Sequence, residues 1–245
     1  SPPPEISEKR AVGLWRMADG GASVVVTTIA AVLQRVCAPE FYRNLGWKLE
    51  LGDEFFFEDL EESLRRAGYS RHEPVDMIGQ FSVRGGIVDV YSPEDPYPVR
   101  LEMFGDQLES IRQFEPTTQK SIQRLEQVTL LPLTEYPIPH DEPPGDELGN
   151  ADSSDLPYIP PPGWEFHSNP AREADRFLWG LLENPVIVWN EKAALDVEAE
   201  KLWDRLESAY ERAPDGVAPP GAYYHRLEEI APGSGRASRQ VEMNE

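Results

Sequence analysis

Residues 79–106 read GQFSVRGGIVDVYSPEDPYPVRLEMFGD, and this stretch predicts three short β-strands. The first, residues 80–83, alternates polar and apolar side chains. The second, residues 87–91, is a β-branched run that ends in an aromatic residue, which is typical of strands. The acids and prolines of residues 92–97 predict a turn, and the third strand follows at residues 99–104.

The third strand sorts its side chains onto two faces. Alternation places the apolar residues Val99, Leu101 and Met103 on one face, and Arg100, Glu102 and Phe104 on the other. Arginine, glutamate and a large aromatic residue together are unusual on a solvated strand, but they are typical of protein-binding surfaces. The pattern therefore predicts a sheet with one core face and one interaction face.

Composition limits the classes of function. The chain has 245 residues, 40% hydrophobic and 27% charged, which suits one large or two small globular domains. Its formal net charge is −21, and so acidic a surface repels phosphate groups. We therefore expect a protein partner and no non-specific nucleic-acid binding. We also expect the chain to be a monomer.

The cysteine content and the N-terminal sequence give expectations about the cellular compartment of the protein. The single cysteine, Cys37, excludes an internal disulfide, fits a reducing cytoplasm and is expected to be a small buried hydrophobe. The sequence contains no run of eighteen apolar residues, so it predicts no transmembrane helix. The proline-rich start is not a secretory signal. Because the sequence begins at Ser1, we expect a fragment or a processed product.

The first 38 residues predict the end of an α/β domain. Residues 7–17 predict a helix with Ser7 as its cap, and Gly20 and Gly21 end it. Residues 22–28 form a continuous apolar run typical of a buried parallel strand, and residues 29–36 predict a second helix. We expect this parallel sheet to be partial.

Residues 39–132 predict an inserted α+β module, largely antiparallel. A linker at 39–44 leads to a strand at 47–51 and a helix at 57–67, which Asp53 or another early acid would cap. Beyond the central strands, residues 111–114 and 128–131 add further strands. The acids in the first turns of the helix and the arginines in its last turn complement the helix dipole, so they need no catalytic explanation.

The remaining chain predicts a loop followed by a return to α/β structure. Residues 133–170 are rich in proline and acids and predict an extended or disordered spacer. Residues 171–245 contain predicted helices at 171–182, 193–212 and 223–230, a buried strand at 186–189 and a frayed tail from residue 233.

Motifs for catalysis and cofactors are absent from the sequence. It contains no phosphate-binding G-x-x-x-x-G-K-[ST] loop, no dinucleotide fingerprint, no H-E-x-x-H and no G-x-S-x-G. Gly85 and Gly86 lie between strands and not before a helix, so they predict a turn or bulge. We therefore expect no enzyme activity, no cofactor and no metal site in this chain.

The order G-x-F-x-x-R-G-G-I-x-D-V-Y … Y-P-V-R-L-E-M-F-G-D resembles domain 2 of the bacterial repair helicase UvrB and its counterpart in the transcription-repair coupling factor. VVVTTIAAVLQRV resembles the end of domain 1a of the coupling factor, and LLENPVIVWNE … APPGAYYHRLEEI resembles its domain 1b. The resemblance implies domain 1a at 1–38, domain 2 at 39–132, a loop at 133–170, and domain 1b with a tail at 171–245.

This resemblance implies a non-catalytic module that recruits the damage-recognition protein UvrA. By motif, the contact residues are Arg84, Arg100, Glu102 and Phe104, and Arg71 is a further candidate at the rim. The intact protein would be an ATP-driven DNA translocase whose DNA and RNA polymerase contacts lie in other parts of the polypeptide. From the residues alone, the arginines are equally well explained as partners of Asp89 and Glu102 on the same sheet.

Two other functions remain open at this stage. The chain could be a piece of UvrB itself, a helicase subunit, although no aromatic β-hairpin precedes the module. It could also be an intramolecular domain that packs against the rest of its own polypeptide and masks the interaction face.

Overall fold

A computed structural model of the chain describes residues 4–137, 174–213, 217–230 and 239–243. These residues fall into two compact units. The first unit comprises residues 4–15 and 42–137, and the second comprises residues 16–41 with the described residues from 174 onward.

The first 137 residues contain four helices and eight strands among the residues described. In chain order these are α1 (Pro4–Ala18), α2 (Ile29–Leu33), α3 (Pro39–Arg43), β1 (Trp47–Glu50), α4 (Phe57–Arg66), β2 (Ser70–Arg71), β3 (Gln80–Arg84), β4 (Ile87–Val90), β5 (Val99–Phe104), β6 (Gln107–Phe114), β7 (Ser121–Leu125) and β8 (Gln127–Leu130). From residue 174 onward the elements are β9 (Val186–Asn190), α5 (Lys192–Tyr210), β10 (Arg239–Met243) and short 3₁₀ helices at Leu178–Leu181, Pro220–Ala222 and Leu227–Ile230.

The first unit is built on a six-stranded sheet in the order β2-β3-β4-β5-β6-β7. Its strands pair antiparallel, except that β2 runs parallel to β3. β1 and β8 form a separate antiparallel pair. The three strands predicted in residues 79–106 are confirmed as β3, β4 and β5, and Gly85 and Gly86 form the turn of the β3–β4 hairpin.

One face of this sheet packs into the core of the unit. Leu60 and Leu64 of α4 belong to the same buried cluster as Val88 of β4 and Leu101 of β5. Burying each such side chain contributes roughly 1.5–3 kcal/mol. The core face includes Val99 and Leu101 as the alternation predicted, which leaves Arg100 and Glu102 on the opposite face.

Local sequence signals set the ends of α4. Gly68 adopts a φ of +98°, and the amide of Tyr69 donates to the Leu64 carbonyl, so the chain leaves the helix through a left-handed residue. The predicted Asp53 cap is wrong. Phe56 occupies the cap position without a side-chain bond, and Asp53 instead accepts a hydrogen bond from the amide of Glu50.

The part of α1 that belongs to the first unit is held there by a partly buried ion pair. Arg10 Nε donates to Glu135 Oε1 at 2.5 Å, and Val12 and Trp15 pack with Leu131. The helix already begins at Pro4, so the predicted cap, Ser7, lies inside it. Residues 39–44, predicted to be a linker, include α3.

The second unit departs most from the sequence predictions. The predicted buried strand at 22–28 is wrong, because these residues form no strand, and Val24 and Val26 are 82% and 93% exposed. An apolar run becomes a strand only where neighbouring strands accept its backbone hydrogen bonds, and none of the described strands pairs with it.

Other predictions for the second unit concern the ends of its helices and the pairing of its strands. The helix predicted at 29–36 stops at Leu33, and the described part of 171–182 forms only a 3₁₀ turn. β10 lies in the predicted tail and pairs parallel with β9. The long helix α5 is confirmed, and Cys37 is buried as predicted. The spacer from residue 138 to 170 lies outside the described residues.

Candidate protein-interaction surface

Strand register places the polar side chains of four strands in one row. Asp89 of β4 lies opposite Arg100 of β5, which lies opposite Arg112 of β6, and Arg112 in turn lies opposite Arg124 of β7. Residues opposite each other on neighbouring antiparallel strands share a face. This is the face away from the core, and we call it the arginine face.

Asp89 holds two arginines at the centre of the arginine face. Its side chain is only 1% exposed. Arg100 donates to it through two bonds, Nε to Oδ1 at 2.6 Å and Nη2 to Oδ2 at 2.7 Å, and Arg84 Nη2 donates to Oδ2 at 2.8 Å. Two bonds from one planar guanidinium fix its orientation as well as its position. The carboxylate therefore acts as a clamp.

Arg100 is the more enclosed of the two clamped arginines. Its side chain is 17% exposed, and its guanidinium lies 4.7 Å from the centre of the Phe114 ring. The hydrogen bonds with Asp89 raise the pKa of the Arg100 guanidinium above its ordinary value. Arg100 is therefore a permanent positive charge held against the sheet, with little freedom to move toward a partner.

Arg84 is the more accessible arginine. Its side chain is 45% exposed at the end of β3, and Nη1 lies 3.4 Å from the carboxylate of Glu73. Because Glu73 is itself 56% exposed, this second contact is a solvated ion pair that contributes little to stability. Arg84 can thus exchange Glu73 for a carboxylate of a partner while Asp89 continues to hold it.

Glu102 and Phe104 continue the arginine face along β5. Glu102 accepts a hydrogen bond from Arg112 at 3.1 Å, and both side chains remain about one third exposed. Phe104 ends the strand and is 75% exposed, although it is a large apolar side chain. An exposed aromatic residue next to ordered charges is the usual composition of a binding hot spot.

Arg71 lies apart from this group. In β2 it pairs in register with the core residue Phe81, and its guanidinium donates to Glu61 of α4 and to the carbonyl of Val83. The structure therefore brings Arg84, Arg100 and Glu102 together and places Arg71 on the helix side of the sheet edge.

Sequence reasoning did not include Arg112 and Arg124 in the site. The sequence did contain a signal for both residues, because each arginine stands next to an apolar residue of its strand. Arg112 follows Ile111 in β6, and Arg124 precedes Leu125 in β7. β7, however, was not recognised as a strand, because four of its five residues are exposed and no apolar alternation marks it.

Two negative findings concern the residues described. None of the helices there is long and apolar enough to cross a membrane. Over the same ranges, the structure contains no group of three or more His, Cys, Asp or Glu side chains placed to hold a metal ion.

Comparison with known families finds a similarity in the segment that carries the arginine face. Residues 47–136 match the family model described as the UvrB interaction domain. This segment contains β1 through β8, including every strand of the six-stranded sheet. The six-stranded sheet therefore lies within the segment that is similar to the UvrB interaction domain.

Individual proteins are also similar to the chain, over 54–84% of its length. The chain is 31% identical over 232 residues to the transcription-repair-coupling factor of Myxococcus xanthus, covering 84% of this chain and 19% of that protein. It is 32% identical over 139 residues to that of Bacillus subtilis, covering 57% of this chain and 12% of the relative. The UvrABC system protein B of Thermosipho africanus is 28% identical over 132 residues, covering 54% of this chain and 20% of the relative.

These findings confirm the resemblance predicted from the motifs. The chain resembles the UvrB-like region of a transcription-repair coupling factor, and it spans about a fifth or less of the length of these relatives. Two of these relatives are, by name, transcription-repair-coupling factors.

Proposed function

We propose that this chain is a non-catalytic recruitment module that binds UvrA for transcription-coupled excision repair. The observation that carries the proposal is the clamp of Asp89 on Arg84 and Arg100, with the exposed Phe104 on the same strand as Arg100. Ordered guanidiniums bind carboxylates with defined geometry, and an exposed aromatic side chain gains free energy when a partner buries it.

The coupling factor is preferred over UvrB as the parent protein. The similarity to the Myxococcus coupling factor covers 84% of the chain, whereas the similarity to the Thermosipho UvrB covers 54%. We propose that the longer protein is an ATP-driven DNA translocase, and that its contacts with DNA and RNA polymerase lie outside this chain. We also propose that the second unit corresponds to parts of domains 1a and 1b, with domain 2 inserted between them.

The test is calorimetric titration of the chain into purified UvrA, with a double variant Arg84→Ala, Phe104→Ala. Both side chains are substantially exposed, so the variant should keep its fold, which circular dichroism checks. We expect saturable binding by the natural chain and a loss of about thirtyfold or more in affinity for the variant, as for a hot-spot pair.

Arg66 provides the matched control. It is an exposed arginine on α4, the helix that packs on the core face, so Arg66→Ala removes a guanidinium away from the arginine face. Equal losses for the two variants, or no binding by a well-folded natural chain, would contradict UvrA recruitment and favour an intramolecular structural role.

A further inference from the structure

The arginine face carries more positive charge than the clamp needs. Arg100, Arg112 and Arg124 lie directly opposite one another on three neighbouring strands. Adjacent strands are about 4.8 Å apart, so these side chains are close neighbours. Like charges directly opposite each other destabilise a sheet, so the row needs compensating charge.

Two of the three arginines are compensated within the chain. Asp89 binds Arg100 through two hydrogen bonds, and Glu102 binds Arg112 through one. Arg124 is exposed, and among the residues that the structure describes it has no ion pair or hydrogen bond through its side chain. The row therefore ends in an uncompensated guanidinium on the edge strand of the sheet.

We propose that Arg124 is an additional contact for UvrA, binding a carboxylate on an acidic segment of that partner. The proposal rests on the proposed function and extends the surface from β3–β5 to β7. A carboxylate bound there would give Arg124 an acidic partner, as Asp89 already does for Arg100 and Glu102 for Arg112.

The composition of the surface favours an acidic protein segment over a nucleic acid. Glu102 and Phe104 lie on the strand next to that of Arg112, and the chain as a whole carries a net charge of −21. A DNA duplex carries about one negative charge per 1.7 Å, so the negative charge of the chain would repel its phosphates along the whole length of the contact. A protein surface needs to present only a few carboxylates beside an apolar pocket for Phe104.

The test compares Arg124→Gln with Arg66→Gln in calorimetric titrations against UvrA at two salt concentrations. Both changes remove one exposed arginine from the same unit, and neither side chain makes an ion pair or a hydrogen bond among the described residues. We expect Arg124→Gln to weaken binding about tenfold and to reduce its salt dependence, and Arg66→Gln to leave binding within about twofold. Arg124→Lys should retain most of the affinity, because it keeps the charge.

The outcomes separate this inference from the proposed function. If the natural chain does not bind UvrA, the proposed function fails, and this inference fails with it. If the natural chain binds UvrA and Arg124→Gln binds equally well, only the role of Arg124 is overturned.

Two other results would also overturn the role of Arg124. Unchanged affinity with increased aggregation would show that Arg124 protects the edge strand against pairing. Unchanged UvrA affinity with an Arg124-dependent binding of short duplex DNA would assign the residue to nucleic acid.

Discussion

Replacing Asp89 with asparagine removes the charge that anchors the arginine face while preserving the size of the side chain. The clamp holds Arg100, which is 17% exposed, through bonds of 2.6 and 2.7 Å, and Arg84, which is 45% exposed, through one of 2.8 Å. Removing one partner of a buried ion pair costs about 3–5 kcal/mol, because the remaining charge stays buried without compensation.

We expect a value near the lower end, about 3 kcal/mol, because Arg84 can be rehydrated and only Arg100 is left enclosed. Asparagine also turns an amide hydrogen-bond donor toward the guanidiniums, which are donors themselves. The assay is native-state hydrogen exchange, since the chain has two units and the amides of β4 and β5 report on the sheet alone.

Glu102→Gln is the matched control for Asp89→Asn. It makes the same carboxylate-to-amide change on the same face, but Glu102 and its partner Arg112 are each about one third exposed. A solvated pair of this kind contributes up to about 1 kcal/mol. If Asp89→Asn lowers the free energy of unfolding no more than Glu102→Gln does, the buried clamp is not a stabilising element and the reasoning is refuted.

Three further predictions concern other positions of the first unit. Phe104→Ala should change the unfolding free energy by no more than about 0.5 kcal/mol, because the ring is 75% exposed, and a larger thermal shift would mean that Phe104 packs within the fold. Gly86→Ala should cost about 1–3 kcal/mol in urea unfolding, since its Cβ would lie 2.8 Å from the carbonyl oxygen of Met103. Gly85→Asn, at a φ of +57° with open space around it, should cost less, and equal costs would contradict the steric account. Burial raises the pKa of Asp95 to about 6, so its stabilising contribution is present below pH 4 and is lost as the pH rises through about 6. Asp95→Asn should therefore be more stable than the natural chain at pH 7, by about 1 kcal/mol after allowing for solvent screening of this partly exposed group, and no different near pH 4. A difference independent of pH, measured by urea unfolding at both values, would argue against this titration.

The central module was predictable because its signals are local. Alternation in residues 99–104 gave both the strand and its two faces, and the glycine pair gave the hairpin turn. Where a signal depended on distant neighbours, the prediction was wrong. The valines of residues 24–26 have the composition of a buried strand, but backbone pairing decides whether a strand forms, and that pairing is absent from the described residues.

The candidate site was only partly predictable for the same reason. Alternation placed Arg100, Glu102 and Phe104 on one face, and the family resemblance added Arg84. The residues alone left open whether the arginines pair within the sheet. The structure shows that they do pair, with Asp89, and that Arg84 and Phe104 nevertheless remain exposed. An ion pair within the chain and an interaction surface are therefore compatible.

The sequence by itself determined the positions of the three central strands, the division of β5 into a core face and a polar face, and the resemblance to the UvrB family. Only the tertiary structure decided which charges meet. The row from Asp89 to Arg124 exists because of strand register, and that register shifts at irregularities between Glu102 and Met103 and between Gln113 and Phe114. A shift of one residue turns a side chain to the other face of a sheet, so the row depends on pairing between strands that no single segment specifies.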